Sequence, residues 1–63
     1  MTTYEQAESI VLLHRLTGMG LVDCAYAVIP FFDHTNYADT MALTIEIAKL
    51  EKTLDEEFKQ AHS

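Results

Sequence analysis

From Tyr37 to Gln60 the chain runs without a glycine or a proline, and that stretch is more than a third of its 63 residues. Within it Leu43, Ile47, Leu50 and Leu54 recur in alternating steps of four and three, with Ala61 further along the row and Phe58 beside it. Such spacing lines up one face of an α-helix. Met41, Ile45 and Ala48 form a second row that widens the face only in its N-terminal half. The preceding Asp33-His34-Thr35-Asn36 is a polar turn, in which Thr35 or Asn36 can cap the helix, and Asp39 falls in the first turn. On the outer face Lys52–Glu56 and Asp55–Lys59 have the four-residue spacing that brings charges together, worth about 0.2–0.5 kcal/mol each.

The N-terminal segment predicts a second helix, from about Tyr4 to Thr17. Thr2 with Glu5, or Thr3 with Gln6, matches a capping box, and Glu5 and Glu8 suit the positive end of a helix dipole. Tyr4, Ala7, Ile10, Val11, Leu13 and Leu16 follow close to helical period, with Leu12 widening the stripe. His14 and Arg15 suit the negative end, and Gly18 supplies a left-handed stop.

Between these lies Leu21 to Phe32, in which only Asp23 and Pro30 interrupt an apolar run. Its β-branched and aromatic residues also permit a buried strand. A helix is the better reading, because Ala25 and Ala27 favour it and a lone strand has no ladder to join. Pro30 should end or kink that helix. The expected fold is therefore all-α: one domain over residues 1–63, with two short helices and a long C-terminal one.

At 1.5 Å per residue the three helices would measure about 21, 18 and 36 Å. Two short helices cannot cover the whole apolar row of the long one, and the remainder should lie near Leu50, Leu54 and Phe58. The middle segment, apolar on nearly every face, has too few neighbours to bury it. With a single cysteine, Cys24, no internal disulfide can compensate for so small a core. A second copy resolves both mismatches. The expectation is a homodimer, with Leu43, Ile47, Leu50, Leu54 and Phe58 as the candidate interface; a different protein with a matching groove is the alternative.

Four Lys and Arg against ten Asp and Glu give a net charge of −6. Such a chain is repelled by nucleic-acid phosphates and by anionic lipid, and its four cations form no patch. A helix–turn–helix would have to read bases with Leu21–Phe32, which offers no Arg, Lys, Asn or Gln. The aromatic side chains, without a basic groove, suit core and contact roles better than base stacking. Neither a signal peptide nor a membrane span is evident, so the sequence reads as that of a soluble cytosolic protein with no nucleic-acid or membrane partner.

Residue chemistry points away from catalysis. His14, His34 and His62 are twenty and twenty-eight residues apart, far from the paired spacings of structural zinc. Asp33, His34 and Asp39 could contribute to a carboxylate–imidazole site, but they read more simply as turn and cap residues. Cys24 sits where cysteine acts as a small hydrophobe, and Ser9 and Ser63 lack a nucleophile's context. Gly18-Met19-Gly20 is too short for a phosphate loop. No catalytic, metal or cofactor residues are assigned, and the chain is expected to be a non-enzyme without cofactors. Seven of the ten carboxylates lie from Asp33 onward, so the third helix could also meet a basic surface.

Taken whole, from Met1-Thr2-Thr3-Tyr4-Glu5-Gln6 through Leu50-Glu51-Lys52 to Ala61-His62-Ser63, the chain resembles the very small early proteins of lambdoid bacteriophages. These are encoded between the exonuclease and excisionase genes. The resemblance implies expression early in the lytic programme, in the host cytoplasm, and a non-essential influence on the choice between lysis and lysogeny. It implies no enzymatic activity and carries over no functional residues. The expected function is thus protein–protein interaction with an unidentified host or phage protein. A DNA-binding regulator of excisionase-like size is the first alternative and a metal-dependent enzyme the second.

Overall fold

The computed structural model describes residues 2–62, with side chains as far as Gln60. Expectations resting on the side chains of Ala61 and His62, or on Ser63, lie outside the described residues. The chain forms three helices, α1 (Thr3–Thr17), α2 (Leu21–Val28) and α3 (Tyr37–His62), and no strand among the described residues. The middle segment is helical, as its alanines suggested.

Local chemistry sets each helix end. Of the two possible capping boxes the chain uses Thr2 with Glu5: the Thr2 hydroxyl accepts from the Glu5 amide at 3.1 Å, and the Glu5 carboxylate accepts from the Thr2 amide at 3.4 Å. Gly18, at φ +77°, closes α1 by donating its amide to the His14 carbonyl at 2.9 Å. Asn36, rather than Thr35, caps α3: its side-chain oxygen accepts from the Asp39 amide at 3.3 Å.

α2 is shorter than the segment Leu21–Phe32 that suggested it. Pro30 forces Ile29 into an extended conformation (φ −106°, ψ 112°), so helical geometry stops at Val28. A turn follows, closed by the Phe32 amide donating to the Ile29 carbonyl at 3.2 Å. Pro30 holds its second position and Phe31 its third, with φ +58°. That is the pattern of a type II turn, whose third position normally belongs to glycine. Phe31 is also completely exposed, so a strained backbone is combined with an unburied ring. Phe31→Gly is therefore expected to stabilise the fold by about 1 kcal/mol. A thermal melt should rise by about 4–8 °C; an unchanged or lower midpoint would contradict the strained turn.

α1 is the central element, packed against both α2 and α3. The core joins Ala7 and Ile10 of α1, Cys24 and Ala25 of α2, and Leu43 of α3, flanked by Leu13, Val28, Ile29, Phe32, Ile47 and Leu50. Small side chains at Ala7, Cys24 and Ala25 let α1 and α2 approach closely. Leu16, placed in the apolar stripe by its sequence period, is 83% exposed. Nine residues beyond Ala7, it has turned by about 180° and faces away from the core.

α1 and α3 run in the same direction. Thr3 and Gln6 share a cavity with Asp39 and Leu43 at one end, and Arg15 reaches Asp55 at 3.4 Å near the other. The ion pairs within 4 Å among the described residues are Arg15–Asp55 and Lys49–Glu46. The expected pairs Lys52–Glu56 and Asp55–Lys59 are not formed at that distance; Asp55 turns to the last turn of α1 instead of to Lys59. Both partners of that bridge are well exposed, so it contributes at most about 1 kcal/mol. From that bridge α1 continues only to Thr17 while α3 continues to His62, so α3 projects roughly 7–8 Å past the end of α1.

Candidate interaction surface

α2 and α3 each pack on α1 but leave a groove between them. It holds about 230 Å3 and is walled by Leu21, Val22 and Ala25 of α2, by Phe32, and by Thr40, Leu43, Thr44 and Ile47 of α3. Helical geometry places further apolar residues on another side of α3. Ile45 and Met41 stand about 160–200° around α3 from the buried Leu43, so they and Tyr37 point away from the core. All three are exposed, as are Val22 and Tyr26 on α2. Between Tyr37 and Ala48 the charged residues are Asp39 and Glu46. Both lie on the opposite flank of α3 by helical angle, and Asp39 lines the cavity shared with Thr3 and Gln6 of α1. The outcome is a set of exposed apolar side chains on both helices, interrupted on α2 by the exposed Asp23 and bounded on α3 by Lys49, one turn beyond Ile45.

The five residues expected to form an interface are divided by α1. Leu43 is buried in the core of a single chain, and Ile47 and Leu50 pack partly buried against it. Leu54 is half-buried beside a recess of about 180 Å3 that it shares with Leu50 and with Glu8, Val11 and Leu12 of α1. Phe58, on the overhang, is 64% exposed. Exposed apolar residues also lie on α2, at Leu21, Val22 and Tyr26, where the excess of apolar residues over neighbours led to that expectation. On α3 they include Met41 and Ile45 of the row that spacing alone adds to the apolar face.

Residues with the potential for chemistry are engaged in holding turns. The Met19 carbonyl accepts from His14 Nδ1 at 2.6 Å and, weakly, from the Cys24 thiol at 3.9 Å. Because a carbonyl only accepts, this contact places the proton on Nδ1 of His14. Cys24 itself is fully buried. The Tyr26 hydroxyl hydrogen-bonds His34 Nδ1 at 2.5 Å, and the Tyr26 ring meets Phe32 edge-on with centroids 5.0 Å apart. The Asp33 carboxylate accepts from the Thr35 hydroxyl at 2.6 Å and the Thr35 amide at 2.9 Å. Those bonds hold its carboxyl below the usual range. Asp39 accepts from the Asn36 side chain at 2.9 Å. Asp33, His34 and Asp39 therefore each serve a different neighbour. Among the described residues no three His, Cys, Asp or Glu side chains converge as a metal site would require. Nor is any helix long and apolar enough to cross a membrane among those residues.

Comparison with protein-family models, with curated proteins and with solved structures found no match.

Proposed function

We propose that this chain is a small acidic helical module that works by binding protein, both a second copy of itself and a host or phage partner. The observation that carries the reading is the set of exposed apolar side chains on α2 and the N-terminal half of α3: Val22, Tyr26, Tyr37, Met41 and Ile45. Monomeric domains rarely leave such a surface open unless something docks there. The second half of α3 gathers Glu51, Asp55, Glu56 and Glu57 among Lys49, Lys52 and Lys59. Apolar contact and carboxylate contact with a basic protein surface are thus two available modes. The likeness of the whole string to lambdoid early proteins supports a role in host cytoplasm, modulating host physiology or the choice between lysis and lysogeny.

A gel shift separates this reading from that of an excisionase-sized DNA regulator. Affinity for duplex DNA is expected to be negligible even at low salt, since few cations are available to release counterions. One of the four, Arg15, is already paired with Asp55. Sequence-specific, sub-micromolar binding at physiological salt would replace the proposal with the regulator. Once a protein partner is in hand, neutralising Glu51, Asp55 and Glu56 together should slow association and flatten its salt dependence. An association rate unmoved by that triple change would remove the acidic half of α3 from the contact.

A further inference from the structure

We propose that the cavity between the start of α1, the turn after α2 and the start of α3 receives a basic side chain, arginine or lysine, of a protein partner. This rests on the protein-binding reading above and specifies where its charged contact occurs, away from the second half of α3.

The partition of charge selects the occupant. Arg15 lies in the last turn of α1, and Lys49, Lys52 and Lys59 lie from the middle of α3 onward. There Glu51, Asp55, Glu56 and Glu57 match these four cations in number. The net charge of −6 is therefore that of the six other carboxylates, among them Glu5, Asp33 and Asp39 at the end where α1 and α3 begin. Lys49 follows Asp39 by ten residues, about 15 Å along the helix. Exposed charges more than about 8 Å apart are largely screened at physiological salt. That end is anionic without compensation.

The cavity there holds about 400 Å3, within the range of small-ligand sites, about 300–1,000 Å3. Ile29, Pro30 and Phe31 of the turn, with Ala42 and Leu43 of α3, give it apolar walls. The charged residues that line it are Asp33 and Asp39. Their neighbour His34 is engaged with Tyr26 instead. Asp33 gives Oδ1 to Thr35, and Asp39 gives Oδ2 to Asn36, which leaves the second oxygen of each for a ligand. Apolar walls with two carboxylates fit a side chain that is apolar along its stem and cationic at its tip. The Phe31 ring, completely exposed beside the cavity, offers that cation an aromatic face. An apolar side chain would leave both carboxylates unanswered, and an acidic one would be repelled.

Titration of the isotope-labelled chain with N-acetylarginine amide, followed by backbone amide chemical shifts, tests the placement. N-acetylcitrulline amide serves as the uncharged isostere. The arginine compound should saturate at about millimolar concentration, with the largest shifts at Gln6, Phe32, Asn36 and Asp39. Citrulline should bind at least about tenfold more weakly. Asp33→Asn with Asp39→Asn keeps an oxygen acceptor for Thr35 and Asn36, and should raise the arginine dissociation constant at least about tenfold. Ala42→Lys, at an exposed position that caps nothing, should abolish binding by placing the chain's own cation at the cavity; it decides the matter if the double variant loses helicity. Neutralising Glu51, Asp55 and Glu56 together should change the constant less than about threefold. Largest shifts within residues 51–57, with binding unmoved by Ala42→Lys, would overturn the placement and leave the basic contact on the second half of α3. An arginine titration that never saturates, or citrulline binding as tightly, would overturn the cationic occupant itself and leave apolar contact as the mode of protein binding.

Discussion

Leu43→Asp is expected to abolish folding, whereas Phe58→Asp leaves the helices intact. Both residues belong to the apolar side of α3, and sequence period alone treats them alike. Leu43 is 6% exposed and packs in the one cluster to which all three helices contribute. An aspartate there would either bury an unpaired charge or be protonated, and either way it loses the leucine's contacts. The cost is several kcal/mol. A domain of this size has about 3–9 kcal/mol of total stability, so the change removes most or all of it. Phe58 lies beyond the end of α1 and is largely exposed, so its substitution should stay within about 1 kcal/mol. Far-UV circular dichroism with thermal melts distinguishes the two. A Leu43→Asp protein that melts like wild type would contradict the core described here, and an unfolded Phe58→Asp protein would contradict the overhang.

That contrast also shows what the residues reveal before any coordinates. Helix ends were legible because their causes are local: Thr2 and Glu5 form a box, Gly18 accepts a left-handed backbone, and Pro30 displaces Ile29 from helical geometry. Three helices, two short and one long, follow from those stops. The register of α1 on α3 was not legible, because it depends on packing between residues far apart in the sequence, such as Ile10 and Leu43. Without that register the row from Leu43 to Phe58 cannot be divided into covered and uncovered parts. Met41 and Ile45 fell on the wrong side for a similar reason. A two-residue step from Leu43 turns by about 200°, so a neighbour in sequence is nearly opposite on the helix. Phe31 gave no warning at all, since a turn position that calls for glycine is found by its glycine and here there is none.

The second large effect concerns mass. The exposed apolar side chains of α2 and of the N-terminal half of α3 favour association of two chains over one. Opposing them is the repulsion between two chains of net charge −6, which salt weakens. Apolar contact does not weaken with salt in the same way. Association should therefore tighten as ionic strength rises, opposite to a complex held by complementary charge.

The measurement that tests the central claim most directly is light scattering on the wild-type chain at tens of micromolar, in 0.15 M salt and again at 0.5 M. The account predicts a mass of twice 7.1 kDa, with the dimer at least as populated at the higher salt. A mass of one chain at both salt concentrations, maintained to hundreds of micromolar, would contradict it.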